Sequence, residues 1–211
     1  MTEGRYIGRA NVAKRLRALE GTPARTVYAG GSVRIELDEA VLAVTPPFGL
    51  EHQAAYDVVR VEPLLEELER DRLVAVVLVR MGGYAVGVLD GERIVASKVG
   101  TRFVKGRHKK GGSSSNRFRR RREEQERDFV EAAAEEAVRV LGPWEGKVDA
   151  VALGGDRSAV ERVLAARPEL AWLRPLALER FLDVPEPRRR VLEELPYRLY
   201  AAKVVEEPRQ S

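Results

Sequence analysis

L-V-A-V-V-L-V-R-M-G-G-Y-A-V-G-V-L-D-G-E-R-I-V-A-S-K-V, residues 73–99, is the stretch that decides the fold. Leu73 to Val79 is an unbroken aliphatic, largely β-branched run, too short to span a membrane and suited to a central strand covered on both faces. Gly82-Gly83 and Asp90-Gly91 are hairpin turn dipeptides, so Tyr84 to Leu89 and Arg93 to Val99 are expected as the next two strands of an antiparallel meander.

The third strand runs into T-R-F-V-K-G-R-H-K-K-G-G-S-S-S-N-R-F-R-R-R-R-E-E, residues 101–124. Ten Lys or Arg lie here with no acid before Glu123: Arg102, Lys105, Arg107, Lys109, Lys110, Arg117, Arg119, Arg120, Arg121 and Arg122. Gly111, Gly112, Ser113, Ser114 and Ser115 interrupt the charge with small residues, and glycine lets a backbone lie close to a ligand. Taking these ten cations from the formal net charge of +4 leaves the rest of the chain at −6. An acidic body thus carries one basic prong, which focuses attraction for a polyanion on a single element. A bare G-G-S-S-S reads equally as a flexible linker, and the arginines alone read as a solvated helix face paired to Glu123, Glu124 and Glu126. Ten mutually repelling cations argue for phosphates as their partner, with His108 adding to that surface. The prong is expected to be mobile until RNA is present.

Behind the prong, Phe129, Ala132, Ala133, Ala137, Val138 and Leu141 recur at helical spacing, which predicts a long helix from Arg119 to Leu141, ended by Gly142-Pro143. Val148 to Leu153 then reads as a buried strand, with Asp156 or Ser158 as cap of a helix over 159–166. Leu173 to Leu178 suggests another strand and Glu186 to Leu195 another helix, while Tyr197 to Val205 fits either type. Upstream of the meander, Pro63 at a first-turn position and Leu64, Leu65 and Leu68 on one face predict a helix over 62–70. Further back, Asn11 is a plausible cap for a helix to Glu20, stopped by Gly21. Arg25 to Ala29 and Ser32 to Leu37 read as a hairpin around Gly30-Gly31, and Val41 to Val44 as a further strand. These first residues form either a subdomain or an edge of the main sheet.

The expected fold is therefore α/β (α+β): layers around a mixed sheet with an antiparallel meander, in a connection order like that of RNase H, and a basic glycine-rich loop leading into a long helix. Residues 1–58 are expected to pack on a main domain of residues 59–205, with 206–211 a disordered tail. At 211 residues, 44% hydrophobic and 33% charged, the composition is that of a soluble globular protein. The absence of a secretory leader pattern and of cysteine makes the cytoplasm the simplest location.

No cofactor or metal is expected, because His52 and His108 have no second ligand at a recognised spacing. Lys110-Gly111-Gly112-Ser113-Ser114 lacks the order of a nucleotide phosphate loop, and Gly154-Gly155-Asp156 lacks that of a dinucleotide fingerprint, which leaves the latter as a structural turn.

Residues 99–125, V-G-T-R-F-V-K-G-R-H-K-K-G-G-S-S-S-N-R-F-R-R-R-R-E-E-Q, together with A-L-G-G-D-R-S-A-V at 152–160, resemble the Vms-like release factor (VLRF) family in its actinobacterial branch. The likeness extends over about residues 60–205. That family is related to the catalytic domain of eukaryotic and archaeal release factors, whose G-G-Q loop enters the peptidyl transferase centre. The resemblance implies hydrolysis of peptidyl-tRNA, freeing nascent chains on stalled ribosomes or large subunits, with peptidyl-tRNA and the large ribosomal subunit as partners. It places the chemistry at Gly111, Gly112, Ser113, Ser114, Ser115 and Asn116, and matches Arg117 to Arg122 to the cationic start of the helix behind the loop. The glutamine has no counterpart after the glycines: Asn116 is the nearest amide, and Gln125 stands too far along the helix. Two alternatives stay open, an endonuclease cutting the tRNA 3′ end with His108 as acid or base, and a non-catalytic tRNA or ribosome binder.

Overall fold

The computed structural model describes residues 4–101 and 115–209, with residues 115–118 described by their backbone only. In chain order the elements are Arg5–Ile7 (β1), Arg9–Arg17 (α1), Arg25–Ala29 (β2), Ser32–Glu36 (β3), Ala40–Thr45 (β4), Ala54–Tyr56 (β5), Glu62–Glu69 (α2), Leu73–Arg80 (β6), Gly83–Asp90 (β7) and Arg93–Thr101 (β8). Ser115–Leu141 (α3), Ala150–Gly155 (β9), Arg157–Ala166 (α4), Arg189–Glu193 (α5), Leu195–Leu199 (α6) and Ala202–Pro208 (β10) complete them. These elements group into two units, Met1–Asp71 with Leu195–Ser211, and Arg72–Glu194.

The second unit holds the expected meander. Its sheet has the order β8-β7-β6-β9, with β6 antiparallel to β7 and parallel to β9. Val74 to Val79 are each 0% exposed, as a run without polar alternation requires of a strand covered on both faces. On one face, Ala75, Val77, Val79, Tyr84, Val86 and Val88 pack against Phe129, Ala133 and Ala137 of α3 and Ala159, Val160 and Val163 of α4. Alanine at the contact positions lets the long helix lie close to the sheet.

Leu173–Leu178 is not a strand. A 3-10 turn occupies Pro168–Leu173, and the chain then touches β9 only through single parallel bridges, Val151 to Ala177 and Gly154 to Leu182. Pro175 has no N–H to contribute to a ladder, which explains the interruption. Gly154 answers to this crossing: a methyl group there would lie 2.7 Å from the Leu182 carbonyl oxygen.

In the first unit six strands run β1-β10-β4-β3-β2-β5, every pair antiparallel. Gly30 (φ 57°) and Gly31 (φ 74°) make the two-residue turn between β2 and β3, with both central residues in the left-handed region that such a hairpin needs. Val12 and Leu16 of α1 and Leu64 and Leu68 of α2 share a core with Tyr28, Val33, Ile35, Leu42 and Val204. Buried Thr26 donates to the Val58 carbonyl at 3.0 Å, and Tyr28 to that of Arg60 at 2.7 Å.

Several expectations are corrected here. Helix α1 is capped at Gly8, which places Asn11 inside its first turn. Residues 197–205 divide into the end of α6 and the start of β10, and β10 runs to Pro208, so residues 206–208 are paired strand and not tail. The chain leaves the first unit at Asp71 and returns to it at Leu195, whereas sequence put one boundary between 58 and 59. The reason is non-local: β10 finds its partners in β4 and β1, and nothing near residue 200 announces them.

Candidate nucleic-acid interface

Strand register brings the root of the prong to one end of the four-stranded sheet. Thr101, the last residue of β8, pairs with Gly83; Gly83 pairs with Arg80; and Val79 pairs with Gly155. Residues 102–114 follow, so Arg102, Lys105, Arg107, His108, Lys109, Lys110, Gly111, Gly112, Ser113 and Ser114, with the mobility expected of them, lie outside the described residues. The chain is described again from Ser115, the first residue of α3. Ser115, Asn116 and Arg117 are therefore placed on the first turn of that helix by their backbone.

Helix α3 reaches the sheet at Phe129, which is fully buried with its ring 6.1 Å from that of Tyr84. The Tyr84 ring in turn covers Gly100, where any side chain would collide with it. From Arg119 to Asp128 no residue is buried. At 1.5 Å per residue, Arg119 to Asp128 amounts to about 15 Å of helix without a buried residue. The core ends at Phe129, and the cationic turns lie beyond it.

Helix α4 runs alongside. Arg162 of α4 meets Glu126 at 3.3 Å, and Arg167 pairs with Glu131; the same sequence offset in both pairs means that the helices run parallel. Arg122 also bonds Glu126, at 2.9 Å, so one carboxylate is shared by two guanidinium groups. Arg119 pairs with Glu123 at 3.7 Å. Arg120, Arg121 and Arg127 are exposed and form no ion pair among the described residues. Arg119 and Arg122 thus have the carboxylate partners that a solvated helix face supplies, and Arg120, Arg121 and Arg127 do not. Sequence reasoning passed over Arg127, which stands two turns from Arg120 and was legible by that spacing. It also passed over Arg162, whose approach to Glu126 no local signal announces.

The Gly154-Gly155-Asp156 turn is structural, as expected. Asp156 caps α4, accepting from the backbone N–H of Ser158 at 2.9 Å and of Ala159 at 3.2 Å and from the Ser158 hydroxyl at 2.8 Å. The Ser158 hydroxyl first, and then the Ala159 amide, hold its carboxyl below the usual range. Gly155, at φ 100°, has the Val79 carbonyl where a side chain would go. Asp156→Ala is expected to lower stability by about 1 kcal/mol at neutral pH. A depressed carboxyl contributes above its unfolded value of about 3.9 and loses that contribution as pH falls through the folded value. The gap between parent and variant in urea denaturation should therefore close in acid, and a gap that persists there would contradict the cap.

His52 stands edge-on to Tyr28, with ring centroids 4.8 Å apart, and within 3.0 Å of the Tyr56 hydroxyl, which is a packing role. No cluster of His, Asp or Glu suited to a metal is present among the described residues. No described helix is long and apolar enough to cross a membrane.

A mixed sheet backed by two parallel helices, the longer one carrying exposed arginines ahead of its core contact, defines an α/β domain built to present positive charge. The chain matches the family described as acVLRF1, Actinobacteria/chloroflexi VLRF1 release factor, over residues 72–205, and it belongs to that family. The match begins at the first residue of the second unit and ends within β10. Among solved structures, the archaeal translation termination factor aRF1 aligns at 16% identity and a TM-score of 0.45, covering 92% of this chain and 73% of that one. A further archaeal protein aligns at 14% and 0.41, covering 92% and 70%. The Vms1 mitochondrial localization core aligns at 13% and 0.40, covering 93% and 82%. Comparison with curated proteins finds no match.

Proposed function

We propose that this release-factor family member hydrolyses the ester of peptidyl-tRNA and so frees nascent chains on stalled ribosomes or large subunits. The observation that carries the reading is the 101–124 segment, with Gly111-Gly112 at its centre, joining the end of β8 to the exposed cationic turns of α3. Water adds to the ester carbonyl, the bond to the ribose oxygen breaks, and the peptide leaves with a new carboxylate while the tRNA regains its hydroxyl. Backbone N–H groups of Gly112 to Ser115 and the Asn116 carboxamide donate to the developing oxyanion. Arg102, Lys105, Arg107, His108, Lys109, Lys110, Arg117, Arg119, Arg120, Arg121 and Arg122 hold phosphates, contacts that position without reading sequence. Much of the remaining catalysis falls to the ribosome and the tRNA.

Asn116 is one methylene shorter than glutamine and stands later than the amide of a G-G-Q loop. That departure favours a second reading, a tRNA or ribosome binder without chemistry. Large subunits carrying a labelled nascent chain on tRNA separate the two, with peptide and tRNA ends resolved on one gel. Asn116→Ala is expected to slow peptide release about a hundredfold while co-sedimentation with the subunit is kept. Peptide carrying a 3′ tRNA fragment would move the assignment to a nuclease using His108. No release, with salt-sensitive co-sedimentation retained, would leave the binder.

A further inference from the structure

We propose that the first unit carries a stacking platform for unpaired RNA bases, built from Tyr6, Tyr197 and Lys203. Tyr197 (70% exposed) and Tyr6 (50%) are the two most exposed large hydrophobic side chains among the described residues. The register of β1 relates both to one side of that strand. Alternation along an extended strand puts Gly4, Tyr6 and Gly8 on one side. A methyl group at Gly8 would lie 2.8 Å from Cε2 of the Tyr197 ring, and one at Gly4 would lie 2.7 Å from Cε of Lys203. Tyr197 of α6 therefore leans over one glycine, Lys203 of β10 over the other, and Tyr6 stands between them. Tyr6 and Lys203 are direct cross-strand partners, and Thr45 continues the same row on β4. The absence of side chains at Gly4 and Gly8 leaves the room that the two neighbours occupy.

The composition of this row selects its ligand. A protein-binding hot spot is ringed by contacts that exclude water, whereas beyond the two rings this row continues with an exposed ammonium and an exposed hydroxyl. Lys203, which is exposed, forms no ion pair among the described residues, while Arg5 falls on the other side of β1 by the same alternation. The acids of the same strand, Glu206 and Glu207, lie three and four residues further along, and Glu206 is taken by Arg15 at 2.8 Å. Rings with a polar edge beside an unneutralised ammonium suit single-stranded nucleic acid, whose bases stack on the rings while a phosphate meets the cation. The choice of RNA rests on the function proposed above; the platform itself rests on the geometry of β1, β10 and α6.

Fluorescence anisotropy of the full chain with a short labelled oligouridylate, and with an abasic oligomer of equal length, tests it. The measurement is made in the parent and in a chain with Arg119, Arg120, Arg121 and Arg122 changed to Ala, so that phosphate contacts at α3 do not mask the platform. Tyr197→Ala and Tyr6→Ala are each expected to weaken binding of the base-bearing oligomer about tenfold and to leave the abasic oligomer as it was. Tyr197→Phe should bind like the parent, and Lys203→Ala should lower the salt slope by about 0.7. Equal affinity for the two oligomers, or tyrosine variants that bind like the parent, would overturn the platform. No ribosome takes part, so a failure to release peptide leaves this result standing, and loss of base preference leaves ester hydrolysis standing.

Discussion

A chain with Gly111 and Gly112 both changed to Ala should co-sediment with large subunits and release no measurable peptide. The expected loss is at least about a hundredfold in single-turnover release, the scale on which removal of an oxyanion donor acts. Binding and chemistry separate here because they draw on different atoms. In the function proposed, affinity comes from the guanidinium and ammonium groups on either side, which the substitution leaves untouched. Hydrolysis, in the function proposed, uses backbone N–H groups that must come close to the ester, and glycine is the residue whose bare Cα permits that approach. Two methyl groups therefore remove the step and keep the complex. Release within a few-fold of the parent would mean that the loop backbone does not serve the ester, and the hydrolase reading would fall with it. The single variants divide the effect: Gly112→Ala, next to the proposed donors, should carry the larger share.

Phe129→Ala should lower the stability of the folded chain by about 3–5 kcal/mol, read in urea as a fall in midpoint at unchanged slope. Phe129 is fully buried and is the first core residue of α3, packed near Tyr84 at the end of the sheet where the prong departs. Its neighbours on the same helix face, Ala133 and Ala137, are too small to fill the space it would vacate, so the cavity stays open. Phe129→Leu, which keeps most of the volume, should lose only about 1 kcal/mol. The effect bears on function through geometry. Arg119 to Asp128 of α3 lie ahead of the core, and this ring is the anchor from which Arg120 and Arg121 are held out. A loss under about 1 kcal/mol for the alanine variant would show that the anchor lies elsewhere, for instance in the Arg122, Glu126 and Arg162 cluster.

Much of this was legible in residues 73–99. The aliphatic run of β6 and the glycine turns on either side of β7 specify three strands by short-range chemistry alone, and the structure has them in that order. The Gly30-Gly31 hairpin and the leucine face of α2 were readable for the same reason. The character of the candidate site was readable as charge, since ten cations without an acid need no tertiary context to be seen. The family followed from residues 99–125 and 152–160, and the match over 72–205 spans both.

Where the reading stopped, a distant partner decides. The segment around residue 200 is compatible with helix or strand, and it becomes β10 because β1 and β4 present free edges to it. Leu173 to Leu178 has the composition of a strand and lacks the ladder, because Pro175 cannot donate and β9 offers only isolated bridges. Of the arginines described on α3, the one that shares Glu126 with α4 and the ones left open are distinguished only by the parallel packing of two helices. Tyr197 stands far from Gly8 in the chain, as Lys203 does from Tyr6, and these neighbours are set only once the sheet has formed. Turn chemistry and periodicity act over a few residues, so the sequence by itself determined the local elements, the basic prong and the family. Edge pairing and helix packing depend on which surfaces remain to be buried when those elements assemble, and that only the tertiary structure decided.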